Sequence, residues 1–235
     1  MAQKVGNAKN ILVGASPLFI SSTDSTDTSN YVDNAEPGST AAAAFVSGTS
    51  YTSTLNGVTS GSFYYRNVGY TNNGLQITYN PTYGSVTVDQ LLDTAKLFKE
   101  SMEVMIATEM TEGTLENVLT VFGQGASTLT AESGFSTGTT NKTKTLGLAA
   151  GALGVAPTER QLIAVGQAPT TTDGDNSKTT ERVYYARRVL SVQQSQFSLA
   201  RNNPTTFPVT FRLLPSGDTA YAGQEYGKII DRILA

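Results

Sequence analysis

Histidine, cysteine and tryptophan are all absent from this 235-residue chain. Without histidine there is no side chain whose ordinary pKa suits proton transfer near neutrality. Without cysteine there are no thiol nucleophiles, thiolate metal ligands or disulfides, which fits a reducing interior or a particle in which cross-links are a hazard. Without tryptophan, a sugar-cleaving cleft loses its broadest stacking surface. Charge is sparse too: 15% of residues are Asp, Glu, Lys or Arg, the net charge is −3 and the pI is near 5.0. A grip on nucleic acid relies on clustered Lys and Arg, which this balance does not offer. The longest apolar run, residues 146–156, carries Gly147, Gly151 and Gly154 and falls short of the roughly 20 residues a membrane helix needs, so no membrane insertion is expected. Lys4 and Lys9 precede an apolar run at 11–20, but Gly14 and Pro17 interrupt it and no small-x-small cleavage pattern follows, so a secretory leader is not expected either.

What is present is a chain long enough to bury a core without covalent staples. Three stretches rich in Ser, Thr, Gly and Asn, at 21–62, 124–145 and 167–180, read as surface loops or insertions because they have little apolar area to offset the entropy of ordering. Between them the chain reads as short strands at 63–68, 74–79, 85–88, 161–165, 182–192, 195–201, 207–214 and 226–233, with turn signals at Asn73-Gly74, Asn80-Pro81 and Tyr83-Gly84. The longest strand is predicted at 97–110. There Phe98, Met102, Val104, Ile106 and Met110 share one parity and Lys99, Ser101, Glu103, Ala107 and Glu109 the other, with Glu100 and Met105 out of pattern. Phe207, Val209, Phe211 and Leu213 alternate in the same way, although Pro208 points to an edge position or a bulge.

The period changes directly after the long strand. Leu115, Val118, Leu119 and Phe122 stand at i, i+3, i+4 and i+7, which predicts one amphipathic helix over 111–122. Thr111 is its expected N-cap, Glu112 and Glu116 suit its positive end, and Gly123 is its stop. The expected fold class is therefore mainly β (α+β): an antiparallel β sandwich or barrel segment with one flanking α-helix.

Candidate chemistry is thin. Glu100 with Glu103, Glu109 with Glu112, and Asp173 with Asp175 are neighbours in sequence, whereas glycoside cleavage needs two carboxylates set across a cleft. Asp173-Gly174-Asp175-Asn176 looks like a calcium loop but lacks the distal bidentate Glu, and Glu181 is too near. The glycines at 147, 151 and 154 and the run 223–228 do not make a phosphate loop. Arg187 and Arg188 follow Tyr184 and Tyr185. On a regular strand the two arginines point to opposite faces, so one is expected at a subunit contact and the other in solvent. No complete catalytic set can be written, so no enzyme, cofactor or metal is expected. Strands as long as 97–110 and 182–192 leave backbone edges that must be covered, and closure of several copies into a ring does this. A monomer with covered edges is the competing solution.

One family resemblance emerges from these motifs. The run from Asn67 through Gly69, Tyr70 and Gly74 to Tyr79, then Asp89-Gln90, then the long alternating segment leading through Glu109, Thr111, Leu115 and Asn117 to Gly123, resembles the major tail tube protein of long-tailed, siphovirus-like bacteriophages. The later segments from Glu181 through Phe207 to Leu214 look like that family's closing strands, while the Ser/Thr/Ala-rich stretch after Ser21 departs from its usual pattern. The resemblance implies a tail-tube-like fold divided into an N-terminal arm (1–20), a loop or insertion (21–62) and a β domain (63–235). It implies a ring-forming subunit, usually a hexamer, whose joined strands make a β-lined channel that conducts the genome during ejection. The implied partners are further copies of itself, a tape-measure protein, tail terminator and tail-tip proteins, and double-stranded DNA in transient passage. The implied location is the virion tail, after synthesis in the bacterial host cytoplasm.

By the same resemblance Lys99, Ser101, Glu103 and Glu109 line the channel, and the helix covers the outside of the sheet. A net-acidic wall would repel phosphates and keep a moving duplex from sticking. Leu12, Val13, Leu18 and Phe19 are expected to anchor the arm on a neighbouring copy; the alternative is that they belong to the chain's own core. The competing function is a carbohydrate-binding β sandwich on a virion or cell surface, using Tyr64, Tyr65 and Tyr70, although Tyr64 and Tyr65 alternate in direction.

Overall fold

The computed structural model describes residues 14, 16–22, 50–54, 62–91, 93–133, 141–151, 153–154, 157–169, 179–199 and 201–234. The strands are β1 (Leu18–Ser22), β2 (Ser50–Thr54), β3 (Ser62–Asn67), β4 (Thr71–Thr87), β5 (Thr94–Met110), β6 (Leu129–Ala131), β7 (Lys144–Leu146), β8 (Arg160–Gln167), β9 (Thr179–Ser191), β10 (Phe207–Leu213) and β11 (Gly227–Leu234). One α-helix, α1 (Leu115–Val121), follows β5. Nine strands form one sheet in the order β2-β3-β1-β8-β9-β10-β5-β4, with β11 also on β9, and β6 pairs β7 separately. All of these pairings are antiparallel. The fold is thus mainly β with one flanking helix, as expected. The end strands β2 and β4 do not pair with each other, so the sheet is not a closed barrel.

The sheet bends around a shared core. Leu18 and Ile20 of β1, Leu162 and Ala164 of β8, Val189 of β9, Phe207, Val209 and Phe211 of β10, and Val104, Ile106 and Met110 of β5 meet in one cluster, with Val121 of α1 against them. Burial of each of these side chains larger than Ala164 contributes about 1.5–3 kcal/mol. In β8 every residue from Arg160 to Val165 is buried, so its sequence reads as a continuous run rather than an alternation. At the margin, β10 and the second half of β5 alternate strictly, because one face meets the core and the other water.

The turn signals in the first half work differently from their sequence reading. Asn73 and Gly74 do take left-handed backbone, with φ of 61° and 68°, but they form a bulge inside β4 and not a hairpin. Thr108 Oγ1 donates to the Gly74 carbonyl at 2.9 Å and fills the gap in the ladder. Pro81 also lies within β4, which is tolerated because β4 is the edge strand. The two predicted strands at 74–79 and 85–88 therefore belong to one strand, paired along its length with β5. Residues 195–199 form no strand. At Pro208, β10 has only β5 beside it, since pairing with β9 begins at Phe211.

The helix is shorter than predicted. Thr114, not Thr111, is its N-cap and accepts from the Asn117 backbone N–H at 3.3 Å; Gly123, at φ 63°, ends it. Thr111 instead closes the β5 end, where both its N–H and its hydroxyl donate to the Tyr70 carbonyl. Among the described residues no helix is long and apolar enough to cross a membrane.

Candidate functional site

The β4–β5 hairpin dominates the surface. Its two strands of 17 residues pair along almost their whole length, but the core covers only the base, and β5 is exposed on both faces from Thr94 to Ser101. Toward the base the faces have opposite character. Gln76, Thr78, Asn80 and Thr82 of β4 lie beside Ala107, Met105, Glu103 and Ser101 of β5 on the outer face. Ile77, Tyr79 and Pro81 lie beside Ile106, Val104 and Met102 on the inner face. Sequence reasoning found the β5 half of the polar ladder and missed the β4 half. The alternation from Gln76 to Thr82 was legible, but the Asn80-Pro81 turn signal cut across it.

Three of the four channel candidates share this polar face. Ser101 is exposed. Glu103 lies 3.5 Å from the Arg212 guanidinium of β10, and Glu109 accepts from Asn72 Nδ2 at 3.4 Å. Lys99 requires a correction. Thr82 pairs with Ser101 but Tyr83 pairs with Lys99, so Glu100 is an extra residue and the strand parity inverts at this bulge. Lys99 Nζ accordingly reaches Tyr79 Oη at 3.3 Å and Met102 Sδ at 3.0 Å on the inner, apolar face. The outer face is thereby left with Glu103 and Glu109 against Arg212.

Of the arm candidates, Leu12 and Val13 lie outside the described residues. Leu18 and Phe19 are at 0% and 1% exposure in β1, between β3 and β8 of the same chain, so their apolar area is used in its own core and is not offered to another copy. The division expected at residue 20 falls inside this strand, and β2 adds part of the 21–62 stretch to the sheet.

The helix stripe is rotated from its sequence reading. Val121 enters the core cluster and Val118 packs against it. Leu119 is buried at 5%, Leu115 is half-buried, and Phe122 is 37% exposed, with its ring centroid 6.2 Å from that of Phe197. The reason is polar: fully buried Asn117 faces inward, with its Nδ2 donating at 2.8 Å to both the Val68 and the Glu112 carbonyl. The motif residues Gly69, Tyr70, Thr111 and Asn117 thus meet in one knot joining the start of β4, the end of β5 and α1. The Glu112 carboxylate accepts from the Tyr70 N–H at 3.0 Å and lies over Gly69, in the space a Cβ would take.

Arg187 and Arg188 also depart from expectation. Arg160 pairs with Val189 and Leu162 with Ala186, so both arginines oppose Gln161 at a further bulge and regular alternation fails. Arg187 is fully buried, stacks 3.5 Å over the Tyr221 ring, and donates to the Gln224 carbonyl at 3.1 Å. Arg188 forms a bidentate pair with Glu159 at 2.7 Å and donates to the Pro215 carbonyl at 3.0 Å. Neither is a solvent side chain. Near the chain end, Arg182 of β9 grips Asp231 of β11 in a second bidentate pair at 2.6 and 2.7 Å. These bonds hold the Asp231 carboxyl below the usual range and push the Arg182 guanidinium higher still.

Tyr70 is 81% exposed, whereas the side chains of Tyr64 and Tyr65 lie outside the described set, as do Asp173, Asp175 and Asn176. No family model matches the chain, and no curated protein matches it.

Proposed function

We propose that this chain is a non-catalytic structural subunit of a phage tail tube, assembling with copies of itself into stacked hexameric rings in the virion tail. The observation that carries the reading is the β4–β5 hairpin. It projects past the core with a polar face, an apolar face and an outer β4 edge that has no strand beside it among the described residues. A free edge of this length exposes a row of N–H and C=O groups that a neighbouring sheet can satisfy, and a ring satisfies every copy at once. In such a ring the face bearing Gln76, Thr78, Asn80, Ser101, Glu103 and Glu109 lines the channel. Neutral amides and hydroxyls, with the carboxylates Glu103 and Glu109 outnumbering the single cation Arg212, give passing DNA little positive charge to hold. Tape-measure, terminator and tip proteins would then be met inside and at the ends of the stack.

Electron microscopy of the purified chain over a range of concentration and salt tests this reading. Rings or tubes with a central channel are the expected result. A species that stays monomeric throughout, even beside a tape-measure protein, would overturn it.

A further inference from the structure

We propose that the cleft between β5 and β11 receives the tip of the β4–β5 hairpin of a second copy, an inference that rests on the self-assembly reading above. β10 pairs with β5 only at residues 105–110, and β11 lies in tandem with β10 on β9. Beyond the end of β10 the sheet therefore splits. β5 at residues 94–104 and the outer edge of β11 border a gap with no strand between them among the described residues. The gap is a cleft of about 660 Å³, with Tyr79 and Met102 on one wall, Tyr226 and Ile229 on the other, and Ala186 and Leu213 at its base. Tyr226 Oη bridges the walls, donating to the Met102 carbonyl at 3.4 Å.

The hairpin tip has the complementary character. Tyr83, Val86, Val88, Leu91, Leu97 and Phe98 are 38–65% exposed there. These six offer on the order of 600 Å² at roughly 100 Å² each, most of the roughly 800 Å² that one partner contributes to a standard stable interface. Charge agrees in sign. The turn carries Asp89 and Asp93, with Lys96 following on β5, and the cleft lining includes Lys228 and Lys99, the latter donating to Tyr79 and Met102. Glu225, also on the lining, has its carboxylate turned to the Gly223 N–H at 2.8 Å. The hairpin cannot fill the cleft of its own chain, because its base forms one wall. Donor and acceptor are different surfaces, so the contact is head-to-tail and generates a ring or a filament instead of a two-fold dimer.

The absence of cysteine makes the test direct. Val88→Cys on the tip and Ile229→Cys on the cleft wall, at exposed positions, are combined in one full-length chain and oxidised under conditions in which the wild-type chain assembles. Disulfide formation needs Cα atoms within about 7 Å, so only seated tips can link. The expected result is a ladder of covalent multimers from the double variant. Neither single variant, nor Val88→Cys combined with Leu199→Cys on a remote exposed loop, should give it. Assembly without this ladder, or Val88→Cys linking to itself, overturns the docking inference and leaves self-assembly standing. Failure of the wild-type chain to assemble at all removes both.

Discussion

Asn117 donates to the Val68 carbonyl, 49 residues earlier in the chain, at 2.8 Å from a fully buried position. This one bond fastens the helix to the crossing between β3 and β4, and the same amide group satisfies the Glu112 carbonyl on the way into α1. Removing the donor leaves two carbonyls short of a partner. Asn117→Ala should therefore cost about 2–4 kcal/mol in a urea melt. Asn117→Asp, closer in shape, should cost at least as much, because it sets an acceptor against acceptors. An Asp variant within about 0.5 kcal/mol of the wild type would show that the amide does not hold this junction.

Gly69 has φ +84° and lies under the Glu112 carboxylate. Gly69→Ala should cost about 1–2 kcal/mol from backbone strain alone, and more from displacement of Glu112. In a Glu112→Ala background the second part vanishes. A double-mutant cycle should give a coupling of about 1 kcal/mol; simple additivity would refute the close approach.

Arg187 is held by the Tyr221 ring and the Gln224 carbonyl in a buried site. Lysine keeps the charge but loses the flat stacking surface and the fork of donors. Arg187→Lys should therefore be more destabilising than Arg187→Met, by about 1–2 kcal/mol, since Met fills the volume without a buried charge. Thermal melts of the two variants decide the order.

The Arg182–Asp231 pair joins β9 to β11 across a registered position. Because the folded carboxyl is held below its ordinary range by the Arg182 hydrogen bonds, its contribution is complete above the unfolded carboxylate value of about 4 and fades as pH falls through the folded value. Amide exchange over residues 227–234 should speed up on acidification in the wild type more than in Asp231→Asn. The difference is small, because Asp231 is half exposed and salt screens it. Identical acid profiles would remove the pair from the account of β11.

Tyr83 and Leu97 are 58% and 65% exposed on the hairpin. Changing both to Ser should leave the urea midpoint of the isolated chain nearly unmoved, within about 0.5 kcal/mol per site. The same double variant should fail to form rings or tubes in the microscope. Unimpaired assembly would take the apolar hairpin out of the interface.

Much of the architecture was legible before any coordinates. The alternation of Val104, Ile106 and Met110 against Glu103 and Glu109 identified a one-sided strand, and Phe207, Val209, Phe211 and Leu213 identified another. Gly123 marked the helix end correctly because a left-handed stop depends on the residue at that one position. The errors fell where a distant partner outweighed a local preference. Asn73-Gly74 and Asn80-Pro81 have turn chemistry, yet β5 lies alongside both, so the first makes only a bulge within β4 and the second stays in the strand. Lys99 and Arg187 were assigned faces by parity, and a bulge invalidated parity in each strand. Leu18 and Phe19, apolar and close to the chain start, could serve a neighbour or the chain itself, and only pairing with β3 and β8 settles the matter.

Local pattern thus determined the class of structure: strands with a period of two, a single short helix, no residues for thiol or imidazole chemistry, and a sparse, net-acidic charge. Tertiary structure alone decided which faces those strands turn inward, where the sheet splits between β5 and β11, and which backbone edges remain open. The physical reason is that side-chain period is a property of neighbouring residues, whereas strand register, bulges and sheet order are set by hydrogen bonds between segments far apart in the chain.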